Sequence, residues 1–387
     1  MTAPALPLPS GFHCYVANLG IKDETDDFVV VAAHAACAAA GLFTTSSFAG
    51  PSVVVSREHI ANLTAQAVVV ISKNANVATG AVGLDNAREV TAGIAARLGI
   101  APTDVLIAST GVIGRQYPMD RVRAGLATVP TVLSESDAVA VARGIMTTDT
   151  VMKTASAAVG GARIVGVAKG VGMIEPNMAT LITLFFTDAQ VADDALDAIF
   201  RRVIDLTFNC VSVDTDTSTS DTAIVLANGE AGPVDLAEFE AALHEVALSL
   251  TKQVARDGEG AETLIEVCVD GAANPQQARR VAKAIVNSPL VKTAVHGADP
   301  NWGRVAMAIG KCTTADEVDQ SAVIIRFGSQ EVYPAPVGEH GLASLAEYMR
   351  GTDVRIHVSL GVGAADATVW GCDLTDGYIR INADYTT

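Results

Sequence analysis

Lys169-Gly170-Val171-Gly172-Met173-Ile174-Glu175-Pro176-Asn177-Met178-Ala179-Thr180 runs directly into an apolar segment, residues 181–186. It places a hydroxyl nucleophile behind a small residue, on a backbone that glycines and a proline allow to bend. The Thr180 hydroxyl can attack the Ala179 carbonyl and cut the chain. The freed Thr180 then carries its own base, the new α-amine. Such an amine has a pKa of about 7.7–8.0, so a useful fraction is unprotonated near neutrality. The alternative for the same residues is a threonine that opens a buried strand.

Acyl transfer also needs donors for a tetrahedral oxyanion. The Val- and Ile-rich run 105–109 ends in Thr110-Gly111. A strand-to-turn junction there can aim a hydroxyl and a backbone N–H at one point, although Ser-Thr-Gly is also ordinary turn composition. Glu259 sits in Asp257-Gly258-Glu259-Gly260, just beyond a long helical pattern, where it either projects into a site or is a solvated loop residue.

Other motifs fail in detail. Gly303 to Lys311 lacks the first glycine of a phosphate loop, with Val305 in its place, and Cys312 replaces the Ser or Thr after Gly310-Lys311. Asp214-Thr215-Asp216-Thr217-Ser218 opens like a calcium loop, but Thr219 and Val225 occupy the Gly and final Glu positions. Asp214, Asp216 and Asp221 read as hydrogen-bonded turn residues, with an active-site role as the lesser alternative. The seven histidines have no metal-ligand spacing. No metal and no cofactor are expected.

The cleavage segment resembles the processing site of the ornithine acetyltransferase (glutamate N-acetyltransferase) family, whose members cut themselves before a nucleophilic threonine. Further matching blocks follow in the family's order: Phe43-Thr44 with Ala49-Gly50-Pro51, Asn74-Ala75-Asn76-Val77-Ala78-Thr79-Gly80, Ser109 to Gly114, Ile145 to Asp149, Asp299 to Arg304, and the tail Asn382 to Thr387. The resemblance spans about Gly11 to Thr387. It implies acetyl transfer from N2-acetylornithine to glutamate through an acetyl-Thr180 intermediate, with cleavage between Ala179 and Thr180. It also implies an oxyanion hole of Thr110 and Gly111, and substrate contacts by Thr147, Lys169, Thr180, Glu259, Asn382 and Thr387. Lys169 is of the type to pair with a carboxylate and Glu259 with ornithine's ammonium. The two products of the cut would assemble as an α2β2 heterotetramer. His296-Gly297-Ala298, where arginine-pathway members tend to carry Phe-Gly-Ser, and Gly114 to Met119 look closer to a branch associated with secondary metabolism. The rival reading is a self-cleaving aminopeptidase or amidase of related architecture, in which water replaces glutamate.

The elements that must hold these residues are partly visible. Residues 28–33, 52–56, 67–72, 105–109, 264–269, 322–327 and 354–360 read as strands. Residues 87–98, 136–146, 193–207 and 276–286 read as helices, with Ser136 and Asp193 suited to capping. Asp235 opens a further helix whose Leu236, Phe239, Leu243, Val246, Leu250 and Val254 form one apolar stripe, and Gly258 is its expected stop. The expected fold is an α/β layered sandwich of α/β/β/α type over residues 1–280, with a smaller α+β C-terminal lobe over 281–387. The family resemblance supplies much of that architecture.

With 387 residues, half of them hydrophobic and 18% charged, the chain can bury a substantial core. A formal charge of −17 argues against nucleic-acid or acidic-membrane partners, which need clustered Lys and Arg. No apolar stretch approaches the ~18–20 residues of a membrane span. Six scattered cysteines without a C-x-x-C pair read as thiols in a reducing, cytoplasmic setting.

Overall fold

The computed structural model describes residues 5–22, 24–175, 181–335 and 337–384. Its strands follow in chain order as β1 (Phe12–Ala17), β2 (Phe28–Phe43), β3 (Thr64–Ile71), β4 (Val105–Ser109), β5 (Lys153–Val159), β6 (Ala162–Lys169), β7 (Ile182–Gln190), β8 (Val211–Ser212), β9 (Thr222–Pro233), β10 (Leu264–Ala272), β11 (Ile324–Phe327), β12 (Gln330–Tyr333), β13 (Asp353–Ser359) and β14 (Ala365–Cys372). The first sheet runs β4-β3-β2-β9-β7-β6-β5, with β1 also paired to β2. The second runs β12-β11-β13-β10-β14-β8. The α/β class expected from the sequence is the class observed.

Alternation along β2 shows how the layers arise. Phe28, Val30 and Ala32 face one core with Val90 and Ile94 of helix Gly80–Leu98. Val29 and Val31 face the other, with Val141 and Ile145 of helix Ala138–Ile145. Helix Leu236–Arg256 lies between the sheets, against β5 and β6 on one side and β14 on the other. Its stripe from Phe239 to Val254 is buried as expected; only Leu236, at the first helical position, is exposed. The Asp235 carboxylate caps it through Ala237 N and Glu238 N, and the helix ends at Arg256 with Asp257 as its C-cap, one residue before Gly258.

Three local readings are corrected. Residues 52–56 are part of helix Pro51–His59, not a strand. Pro51 in the first turn favours a helix, and the helix covers β4, where the Ser56 hydroxyl donates to Ile107 O and accepts from Ile107 N, both at 2.7 Å. The cap of helix Ala138–Ile145 is Asp137 rather than Ser136, and helix Asp193–Leu206 is preceded by Ala192 with no side-chain cap. The 303–311 stretch lies within helix Trp302–Cys312, which removes the phosphate-loop alternative. Position 280 falls inside helix Pro275–Val286, and the second sheet draws strands from both sides of it. No described helix is long and apolar enough to cross a membrane. All six cysteines are free thiols.

The expected cut between Ala179 and Thr180 lies outside the described residues. It separates β1–β6 from β7 onward, yet β7 pairs with β6 from Lys169↔Ile182 to Ile164↔Thr187, and β9 pairs with β2 from Phe43↔Thr222 to Ala38↔Ala227. Fragments joined by two strand ladders and two shared cores are expected to co-elute on native size exclusion and to separate only in denaturant. Dissociation of cut protein in plain buffer would refute this interlocking.

Candidate active site

A cavity of about 160 Å³ opens at the C-terminal end of β4 and β6 and the N-terminal end of β7 and β9. Thr110, Gly111, Thr147, Lys169, Glu259 and Asn382, spread over more than two-thirds of the sequence, all line it. Leu181 and Ile182, the residues that follow Thr180, line it too. Ala179, Thr180 and Thr387 lie outside the described residues.

Thr110 and Gly111 are set by the end of the β3–β4 pair. Thr110 N donates to Ile71 O at 3.1 Å and Val112 N to Lys73 O at 3.0 Å, which clamps Gly111 between them. Gly111 has φ +123°, and a Cβ there would lie 2.3 Å from Lys73 O, so only glycine fits. The Asn74–Gly80 block braces this turn from behind. Ala75 N donates to Val112 O at 3.1 Å, Gly114 N to Val77 O at 2.9 Å, and the Asn74 amide to Gln116 O at 2.9 Å. Among the described residues, neither the Thr110 hydroxyl nor the Gly111 N–H has a hydrogen-bond partner, and both border the cavity. Two unengaged donors on a rigid turn are what a developing oxyanion requires.

The second wall depends on Asp149. Its carboxylate accepts from Thr147 N at 3.0 Å and Gly170 N at 2.7 Å, pairs with Lys153 Nζ at 2.8 Å, and lies 3.9 Å from Lys169 Nζ. Burial pushes this carboxyl up, but the Lys169 and Lys153 ammoniums outweigh it and hold Asp149 at about 2. Lys169 is itself buried, which lowers its pKa against the opposing pull of Asp149.

The third wall is acidic. Glu259 N donates to Val171 O at 2.8 Å, fixing the turn beyond helix Leu236–Arg256 against the segment that leads to Thr180. A Cβ on Gly172 would come within 2.5 Å of the Glu259 carboxyl, so the bare glycine makes room for it. Burial raises the Glu259 pKa, opposed first by the Asn382 amide, which donates to Oε2 at 2.8 Å.

Asp214 belongs to the cavity rather than to an isolated turn. It accepts from Met173 N at 2.6 Å and Ile174 N at 2.8 Å, holding Met173 in the left-handed region at φ 56°. Asp214 also accepts from Asp216 N, so the hydrogen-bonded turn expected from the sequence is present, and Asp216 and Asp221 line the cavity with it. Tyr378, unnoticed in the sequence, completes this wall; burial and the Asp214 and Glu259 carboxylates push its phenol up to about 12. Its one sequence signal is its position four residues before Asn382, on the same helical face. His296 is outside the cavity lining; it contacts Asp373 at 3.1 Å and Glu262 at 3.8 Å, a grouping that residue spacing does not reveal.

The ArgJ family profile matches residues 13–387. This chain belongs to the ArgJ family. This ArgJ member is 56% identical over 387 residues to "Arginine biosynthesis bifunctional protein ArgJ 2" of Nostoc sp., covering 100% of both chains. It is 55% identical over 385 residues to "Glutamate N-acetyltransferase Oat2" of Streptomyces clavuligerus, covering 98% of each. The crystal structure of arginine biosynthesis bifunctional protein ArgJ from Bacillus halodurans is 42% identical, with 51% of this chain and 96% of that chain covered and a TM-score of 0.49. The family resemblance carried by the sequence blocks is therefore established for this ArgJ chain.

Two outcomes follow from the site. Thr110→Ala should lower kcat by roughly 10²–10³ with little change in KM, because an oxyanion donor acts mainly in the transition state; unchanged kcat with raised KM would mark a ground-state contact. If Glu259 pairs with a substrate ammonium it must be ionised, and activity should then fall as pH drops through its raised pKa. Asn382→Ala removes the amide that opposes that rise, and the acid limb of the kcat/KM profile should move to higher pH. An unmoved or lowered limb would separate Glu259 from substrate binding.

Proposed function

We propose that this ArgJ enzyme cuts itself between Ala179 and Thr180 and then moves acetyl from N2-acetylornithine to glutamate through an acetyl-Thr180 ester. The observation that carries this reading is the convergence of Thr110, Gly111, Thr147, Lys169, Glu259 and Asn382 on one cavity beside the start of β7. In the first half-reaction the Thr180 hydroxyl adds to the acetyl carbonyl while the Thr180 amine takes its proton. The carbonyl electrons move onto oxygen, where the Thr110 hydroxyl and Gly111 N–H stabilise them. Collapse breaks the C–N bond, and the ammonium returns the proton to the departing ornithine amine. Glutamate's amine then attacks the ester, and the same groups act in reverse order.

In this reading Glu259 pairs with the side-chain ammonium of the donor and Lys169 with the substrate carboxylate. Thr147, Asn382 and Thr387 complete the substrate contacts. Two cut copies pair as an α2β2 assembly in the cytoplasm, which a native mass measurement checks.

Purified protein should give two masses, corresponding to 1–179 and 180–387, and should form N-acetylglutamate from acetylornithine and glutamate. Thr180→Ala should stay folded, uncut and inactive. A fully active chain that remains intact would rule out the mechanism. Free acetate formed at the same rate with and without glutamate would support the amidase alternative.

A further inference from the structure

The proposed cut divides the site between two polypeptides. Thr110, Gly111, Thr147 and Lys169 precede it, whereas Glu259 and Asn382 follow it. A substrate held by both Lys169 and Glu259 therefore needs the two walls kept in register after the peptide between them is gone. Strand pairing fixes β6 on β7 but leaves the 147–150 and 257–259 turns to be held by other means.

One buried ion cluster joins those turns. Lys153, fully buried at the start of β5, places its ammonium 2.8 Å from Asp149 and 2.5 Å from Asp257. Asp149 in turn holds Thr147 N and Gly170 N. Asp257 accepts from Thr150 N at 3.1 Å and from the Thr150 hydroxyl, and it stands two residues before Glu259. Asp149 and Asp257 are 8% and 9% exposed, so these charges are largely shielded from water. A desolvated cation shared by two carboxylates is costly to break from either side. None of the three lines the cavity.

We propose that Lys153 is a positioning residue that bridges the two products of the cut, setting the Thr147–Lys169 wall against the Glu259 wall. The proposal rests on the functional reading above for the cut and the substrate. Lys153 touches no reacting atom; it acts through Asp149 on one polypeptide and Asp257 on the other. The oxyanion turn at Thr110-Gly111 hangs from β3 and β4 and is independent of the bridge.

The bridge predicts a defect in substrate binding without a matching defect in chemistry. Lys153→Met with Asp257→Asn removes it while keeping charge balance. In that variant the KM for acetylornithine should rise roughly tenfold with kcat within about threefold, the effect of misplacing one charge-assisted contact. Lys169 is faced by Asp149, Lys153, Glu259, Asp221 and Lys22; Lys153 and Lys22 repel its ammonium, and Lys22 is unchanged in the variant. Loss of the Lys153 charge should therefore move the alkaline limb of kcat/KM to higher pH, which a packing role alone would not do. Asp257→Asn alone, which leaves Lys153 paired with Asp149, is the milder variant and should raise KM about threefold.

Amide hydrogen exchange across 147–150 and 257–260 gives a readout that needs no activity and should quicken in both variants by more than exchange in the central strands β7 and β9 does. Wild-type KM with wild-type exchange in folded Asp257→Asn would overturn the bridge. Faster exchange in variants of an enzyme that transfers no acetyl would keep the bridge and overturn the functional reading.

Discussion

Strand β7 is the constraint on which the rest depends. All of its residues but the last are buried, and it is paired along its length to β6 on one side and β9 on the other. Its first residue, Ile182, lies opposite both Lys169 and Thr222. The chain entering β7 is thus delivered to the spot where the ends of three strands meet. The approach is equally determined. Asp214 holds Met173 and Ile174, Glu175 N donates to Asp216 O at 2.9 Å, and Val213 N donates to Ile174 O at 2.7 Å. Backbone hydrogen bonds thus fix the described residues on both flanks of the expected cut, Ile174 and Glu175 before it and Leu181 and Ile182 after it.

Electrostatics then gives the cavity its character. Among the described residues, Asp214, Asp216, Asp221 and Glu259 border it against one lysine, Lys169. Low dielectric raises the cost of each uncompensated charge, which is why burial raises the Asp214 and Glu259 pKa values while the two lysines beside Asp149 hold that carboxyl low. Such a site favours a ligand that brings a cation to the acidic wall and an anion to Lys169. An amino acid with a second amine meets both demands. The net charge of −17 is in keeping with a protein that has no use for a polyanionic partner.

The sequence revealed chemistry where local features coincide with function. Thr110-Gly111 was legible because a short apolar strand, Val-Leu-Ile-Ala-Ser, runs into a glycine turn, and Glu259 because a well-capped helix with a clean apolar stripe ends just before it. What stayed hidden depends on distant partners. Asp214 acquires its role from amides some forty residues away, and Tyr378 from a turn more than a hundred residues upstream. Strand β5, Lys-Thr-Ala-Ser-Ala-Ala-Val, lacks the contrast that marks a strand, since alanine and serine give no period to read. The helix at Pro51–His59 shows the opposite failure: a Val-Val-Val run imitates a strand, and only its packing over β4 reveals the helix. The family blocks singled out Thr147, Lys169 and Asn382, which local pattern alone leaves as ordinary polar residues.

The two strand ladders that cross the cut also make folding a single-use event. While the chain is continuous, β7 finds β6 as a near neighbour, and closing that loop costs little entropy. Once it is divided, the same pairing becomes a second-order encounter between two species. The later piece would keep β7 paired to β9 but bare the two outer edges that β6 and β2 cover, a template for self-association. A cut at that place would therefore trade reversibility for catalysis: the uncut precursor holds the instructions for assembly, and the divided protein would keep its fold only while its pieces stay paired.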